Sequence, residues 1–517
     1  MTRVATPEHD TVLQPRCRLS ESVIWTLQRE FYEAQGPAAW KPKGIPFWMT
    51  SNRHFARAMA RVVLGFLRDA AAAGTLDPEA PVNVLELAAG SGQFGFTFLS
   101  SLRELRQAVP GLASFRVRYV MTDLARSNVA AWRAHPRLRP FVEEGLLDFA
   151  CFDLEQDADA RLLESGETLA SANPLVVLAN YAFDSTRQDC FRVQGRTLAQ
   201  DLVTATVVGG GAADVSDPTL LERIRLRFDA LPMPAAYYED ALSNRVLEGY
   251  RQGLGDTTFL FPVGAIGCVR RLLGLSGGRM FLLCGDKGAA HEEQLRGRGD
   301  PIMTLHGSCF SFIVNLNAIG HYFEEGGGVA LHASQAATGF QVSGFLAGFG
   351  GADLAETRHA FGAEIDHFGP VPFFTLVKSL MRDMPAPSLD VLLAVLELSE
   401  WDAEVVYAYC DPLRAHARGG RRAPAAGAAR PRGRLGWLLP AAQGPRLRAG
   451  AHLRRPLRAR GRAAVLRGVA AAVRAEPRHA AGAGLLPHAA RRSRRGTARR
   501  RAGPGPQARF RARARPA

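Results

Sequence analysis

The run VLELAAGSGQFG, from Val84 to Gly95, decides the fold. An apolar stretch closes on a carboxylate, Glu86, and Gly90 and Gly92 follow in a short turn before a helix-forming segment. Glycines in such a turn let the backbone approach a ligand closely, and the helix behind it offers its N-terminal N–H groups. On this run alone, a tight strand-to-helix turn in any α/β protein reads the same way.

The flanking strands sharpen the reading. VNVLEL (82–87), RVRYVMTD (116–123), LLDFACFDL (146–154), PLVVLAN (174–180) and MFLLCGD (280–286) are short apolar runs separated by helical patterns. That alternation predicts an α/β fold with a doubly wound, mostly parallel, Rossmann-like sheet. Asp123 ends the second strand, where a carboxylate can accept hydrogen bonds from ribose hydroxyls. Asp153 ends the third, within reach of an adenine amino group. Either acid alone could be a helix N-cap; with Glu86 they describe an adenosine pocket. GxxxxGK[ST] is absent, and the turn reads A-x-G-x-G from Ala88 rather than GxGxxG. That spacing disfavours a pyrophosphate-bearing dinucleotide and favours a cofactor without phosphates.

The pattern resembles the class I S-adenosylmethionine-dependent methyltransferases. Glu86, Gly90 and Gly92 match the family's acid and spaced glycines, with Ala88 at the usual first glycine. The resemblance implies S-adenosyl-L-methionine as cofactor, Asp123 on its ribose and Asp153 on its adenine. Three segments resemble the MidA family more closely, which includes the mitochondrial complex I assembly methyltransferases. They are IPFWMTSNRHFARAMA, LANYAFDSTRQDCFRV (Leu178–Val193), and LLCGDKG followed by LHGSCFSFIVNLNAIG. In the second, the family has Asn-Glu-x-x-Asp-Ala-Leu-Pro; this chain keeps Asn180, Asp184 and the flanking Phe183 and Phe191, with Tyr181 in place of the Glu. The resemblance implies methyl transfer to an acceptor, a protein side chain by family, with a small molecule open.

Transfer from a sulfonium is an in-line displacement, so the protein must supply orientation and a dry pocket. Asn180, Tyr181 and Asp184 lie at the end of the fourth strand and are the candidate catalytic residues. Asn180 can orient the acceptor, and Asp184 can pair with a guanidinium or amine, or simply cap the next helix. Tyr181 reads as a pocket wall. Trp48 and Met49 are candidates for the acceptor entrance, and HEEQLRGRGDP (291–301) for a rim or a solvated run.

Residues 20–38 and 53–72 read as helices. We divide the chain into an N-terminal helical segment (1–80), a methyltransferase domain (81–350) and a helical extension (351–413). A helical insertion (194–278) follows strand four, with helical patterns at LLERIRLRFDAL (220–231) and YYEDALSNRVLEGYRQGL (237–254). Seven scattered cysteines without CxxC pairs, and no HExxH, predict neither a disulfide framework nor a metal site. No stretch of about 18 apolar residues predicts a membrane span. The polar N-terminus has no signal-peptide core, so the expected location is cytoplasmic.

The formal charge of +15 hides two regions. Residues 414–517 hold 28 Arg, no Lys and one acidic residue, Glu476, for a net +27; residues 1–413 hold 36 basic and 48 acidic side chains, net −12. The basic pI is therefore a property of the tail and does not mark the body as a nucleic-acid binder. Two alternatives to an enzyme stand beside the main reading. One is a non-catalytic scaffold with a relict methyltransferase fold. The other is nucleic-acid binding through the tail, against which stands its lack of Lys and near-absence of aromatics. Arg, Ala, Gly and Pro are the residues of GC-rich codons read out of frame. Shifted by one base, the codons of Ala502–Pro506 permit Leu-Ala-Leu-Asp-Pro, which resembles the end of a tetratricopeptide repeat's second helix. We expect either a frameshift, whose restored repeats would bind a protein partner, or a disordered basic tail. Resequencing across the codons for residues 405–425 should reveal the frame break; an unbroken frame encoding the same tail in closely related strains would refute it.

Overall fold

A strand buried on both faces reads as an unbroken apolar run, and such runs build the centre of this protein. The computed structural model describes residues 10–419, apart from 41–47, 109–115, 210–216, 218, 235, 335–338 and 351–352. Its strands are β1 (Thr11–Cys17), β2 (Val82–Leu87), β3 (Val117–Asp123), β4 (Leu147–Cys151), β5 (Leu175–Asn180), β6 (Asp189–Gln194), β7 (Thr197–Val207) and β8 (Ile224–Pro232). After them come β9 (Thr257–Phe261), β10 (Met280–Ala289), β11 (Thr304–His306), β12 (Cys309–Ser311), β13 (Val314–Asn315), β14 (Val329–His332) and β15 (Phe340–Ala347).

The main sheet runs β14-β15-β10-β5-β2-β3-β4. The pairs from β10 to β4 are parallel, and β15 is antiparallel to both β10 and β14. All six residues of β2 are buried, so its side chains feed two cores. On one face Val84, Tyr119, Val176 and Phe281 pack with Phe55 and Phe66 of the helix Arg53–Ala72 and Phe98 of the helix Gln93–Ala108. On the other, Leu85, Val177 and Leu282 pack with Leu247, Val269 and Ile319 from three further helices.

The insertion after β5 departs from the helical expectation. A second sheet, β1-β7-β6-β9 with β8 along β7, occupies much of it, and its pairs are antiparallel. Of the expected helix at 220–231 only Leu220–Arg223 is helical, and β8 takes the rest. The cause is period two: Ile224 and Phe228 turn inward while Arg225 and Arg227 stay exposed. Only the helix expected at 237–254 forms, as Ala241–Gly253. The tail is described only to residue 419, where it ends the helix Cys410–Gly419; the frameshift, repeat and disorder expectations lie outside the described residues. Among the described residues, no helix is long and apolar enough to cross a membrane, and no group of His, Cys, Asp and Glu could hold a metal ion.

The C-terminal helices own a separate core of Phe373, Leu392, Trp401 and Tyr409. Buried Asp402 ties them to the helix Arg53–Ala72: its carboxylate accepts the indole N–H of Trp48 (3.0 Å) and the Arg53 N–H (3.0 Å). Trp48 also packs at a tilt against Phe374, 5.1 Å between ring centroids, so it anchors the extension. Asp402→Ala would orphan both buried donors, and we expect a loss of about 1–3 kcal/mol, read as a lowered urea midpoint; an unchanged midpoint would discount this tether.

Candidate active site

In an open parallel sheet, ligands bind where neighbouring strands send their connections to opposite sides. Here β2, β3 and β4 step outward in one direction, while β5 and β10 step away in the other. The switch therefore falls between β2 and β5, whose last paired residues are Leu87 and Ala179. Just past that pair, two non-glycine residues sit in the left-handed region, Ala88 (φ 50°) and Tyr181 (φ 48°). Each costs about 1–2 kcal/mol, and such strain gathers at functional sites.

The glycine turn follows Ala88. Gly90 (φ 53°) and Gly92 (φ 72°) both need the freedom of glycine. A Cβ on Gly90 would lie 2.5 Å from the Trp40 ring, and one on Gly92 2.8 Å from Trp132. Asp123 holds the turn: its Oδ2 accepts the Gly90 N–H (2.9 Å) and its Oδ1 the Ala125 N–H (2.8 Å). The Trp132 indole N–H donates to the Gly90 carbonyl (3.1 Å). Burial raises the pKa of Asp123, and these N–H groups pull it back.

Glu86 is buried and accepts the Tyr119 hydroxyl at 2.9 Å. Its side chain turns to the first turn of the helix Gln93–Ala108, where Gly95 leaves it room. Burial pushes its pKa up to about 8, against the Tyr119 bond that lowers it. Asp153 lies two residues beyond β4; its Oδ1 accepts the Glu155 N–H (2.9 Å), and its Oδ2 is ion-paired with Arg29. Thus Glu86, Gly90, Gly92 and Asp123 cluster around one turn, while Asp153 is engaged by the helix Val23–Gln35.

At the end of β5, Asn180 pairs in register with Gly285 of β10. A Cβ at Gly285 would come within 2.9 Å of Asn180 Oδ1. Both polar atoms of the Asn180 amide are buried and have no partner among the described residues. Buried amides are normally satisfied, so an orphaned one needs an explanation. Tyr181 follows, its N–H on the Gly285 carbonyl (2.9 Å) and its ring edge-on to Phe340 at 5.4 Å. Burial raises its phenol pKa, which fits a wall and not a base.

Asp184 is buried in the short turn Phe183–Ser185, and that turn has no side-chain bond at its N-cap, Ala182. Its Oδ1 instead accepts the Ser185 hydroxyl at 3.0 Å. The cap is supplied from β10: Asp286 Oδ2 accepts the N–H groups of Phe183 (2.9 Å) and Asp184 (3.3 Å). Burial raises the pKa of Asp184 to about 6, opposed by Ser185 and the Lys287 charge. Asp286 is pushed well above the usual carboxylate range, by burial first and then by Asp184. Lys287 itself donates to Thr304 Oγ1 at 2.8 Å.

Arg29 and Trp40 are not singled out from sequence, and Asp286 and Lys287 enter it only within LLCGDKG, with no role assigned. Asp286 carried the one usable signal, an acid near the carboxyl end of a buried parallel strand, the same signal that marked Asp123.

No family model and no curated protein matches this chain. Among solved structures, a Burkholderia thailandensis protein bound to S-adenosyl-homocysteine aligns over 67% of this chain and 90% of its own, at 16% identity and a TM-score of 0.39. An uncharacterized protein from Burkholderia thailandensis aligns over 63% and 92%, at 15% identity and 0.36. Magnesium protoporphyrin IX methyltransferase from Synechocystis, with S-adenosylmethionine bound, aligns over 62% and 96%, at 10% identity and 0.28. All three overlaps are loose in both shape and sequence.

The buried acids set a pH dependence. Glu86 rises from 4.5 to about 8 on folding. A raised folded pKa contributes stability that is complete below the unfolded value and is lost as pH climbs through the folded one. Asp184, raised from 3.8 to about 6, acts with the same sign. The ligand-free protein should therefore lose stability as pH rises from 3.8 to about 8, and Glu86→Gln should flatten the upper part of that slope. Urea midpoints across the window test this; an identical slope in the variant would remove Glu86 as its source.

Proposed function

We propose that this protein is an S-adenosylmethionine-dependent methyltransferase whose acceptor binds at the carboxyl end of β5. One observation carries the reading: the orphaned Asn180 amide beside two left-handed residues, Ala88 and Tyr181, at the switch point of the sheet. Such a crevice takes a nucleoside by its fold, and the turn after β2 holds Gly90 and Gly92 in the left-handed conformation that glycine alone adopts freely. These features suit the cofactor: Gly90 and Gly92 would let its chain pass close to the backbone. Glu86 and Asp123 would support that turn, and Asp123 and Asp153 would address the ribose and adenine.

S-adenosylmethionine, when bound, supplies an electrophilic methyl carbon. The chain's own work is to orient the acceptor, keep water out and receive a proton. Asn180 offers a donor and an acceptor that nothing else in the described structure uses, so it would fix an amine, guanidinium or amide nitrogen. Phe55 and Phe340 are buried and meet Asn180 over Gly285, so they would help to keep water from it. Asp184, with its pKa near 6, would be ionised at neutral pH and able to pair with a cationic acceptor or take its proton. A nitrogen on a protein side chain is the acceptor we favour, with a small-molecule amine as the other source of the same chemistry.

The test is incubation of cell extract with labelled S-adenosylmethionine, with and without the protein. A labelled band or metabolite should depend on the wild-type chain. Incorporation should rise with pH through about 6. Asp184→Asn should bind S-adenosylhomocysteine as the wild type does but transfer about 10²–10⁴-fold more slowly. Normal transfer by that variant would end its proposed role, and cofactor binding without any labelled product would leave a binding protein.

A further inference from the structure

The helix Val23–Gln35 and the turn Gly36–Trp40 lie across the same strand ends. At β4, Arg29 is ion-paired with Asp153. Beyond β3, Gly36 (φ 47°) is pressed so closely on Ser127 that its Cβ would overlap the hydroxyl. Beyond β2, the Trp40 ring rests on Gly90 and leaves no gap above its Cα. Beyond β5, the Tyr32 hydroxyl meets Ser185 and Cys309, next to Asp184. On its outer side the segment is fastened by Gln28, whose Oε1 accepts the Phe310 N–H at 2.8 Å, and by Trp25 against Phe310 and Phe312 at 5.2 and 5.8 Å.

Between them Arg29, Tyr32, Gly36 and Trp40 touch residues beyond β4, β5, β3 and β2, the strand ends that the adenine, ribose and amino-acid chain of the cofactor would occupy. The segment uses the carboxylate assigned to adenine and covers the glycine assigned to close approach. The Trp40 ring and a ligand cannot both lie on the face of Gly90, and a ligand that reaches Asp153 competes with its Arg29 ion pair. We propose that Val23–Trp40 is a strap seated in the nucleoside cleft, and that binding of the cofactor lifts it. This inference rests on the cofactor reading above. The consequence is that the Arg29–Asp153 pair competes with the cofactor, so Arg29 weakens binding although it lies at the site.

Two measurements on the full chain test this, with S-adenosylhomocysteine as the probe. In calorimetry, Arg29→Ala should bind about two- to fivefold more tightly than wild type, the range open to a partly exposed ion pair. In wild-type protein, amide hydrogen exchange over residues 23–35 should become faster on saturation with the probe. Equal or weaker affinity in Arg29→Ala, or exchange that is unchanged or slowed, overturns the strap while leaving the cofactor reading standing. Binding by the variant alone supports the strap. Binding by neither protein overturns the cofactor reading and the strap together. The exchange measurement needs no variant, so a folding defect in Arg29→Ala would not shield the proposal.

Discussion

The site depends on one carboxylate. Asp123 receives the Gly90 N–H on one oxygen and the Ala125 N–H on the other, so it sews the turn after β2 to the turn after β3. Without it, a backbone N–H in a left-handed glycine turn would be buried with no partner, at the full desolvation cost of such a group. The arrangement also explains how a buried carboxylate is tolerated: its charge is opposed by burial and supported by donors that are themselves short of acceptors. Trp132 closes the turn from the other side through the Gly90 carbonyl.

The facing half of the crevice is organised by the same device. Asp286, one residue past the last β5–β10 pair, caps the turn Phe183–Ser185 through two N–H groups. This fixes Asp184 next to Ser185 and leaves Tyr181 in its strained conformation, with its N–H held by Gly285. The two halves therefore differ in outcome. Around Asp123 the N–H groups of Gly90 and Ala125 occupy one carboxylate oxygen each, which makes a firm cradle. Around Asn180 both amide atoms lack partners among the described residues, and it is on this that the proposed acceptor site rests. Behind both, the helix Arg53–Ala72 packs Phe55 against Phe340 and is itself held by Asp402. Stability of the C-terminal helices and shape of the site are thus linked through one helix.

The central strands could be read from residues alone because burial on both faces demands continuous apolar runs. β2 coincides with the apolar run VNVLEL, Val82–Leu87, all of it buried. Alternation is a weaker signal when its exposed positions are long and basic: Arg225 and Arg227 fit a helix face as well as a strand face, and β8 was lost to a helix for that reason. Asp123 was legible as a strand-end acid. Its engagement by two backbone N–H groups was not, because those donors become available only once two turns meet.

Local pattern by itself determined the parallel α/β core, the glycine turn and the residues that emerge at its strand ends, since each follows from period, burial or backbone freedom within a dozen residues. Only the tertiary structure decided which strands are neighbours, where the sheet reverses direction, and what covers its edge. Arg29 reaches Asp153 across 124 positions, and Asp286 caps a turn 103 residues before it. Contacts at that separation are chosen by the packing of whole elements, and no spacing rule along the chain encodes them.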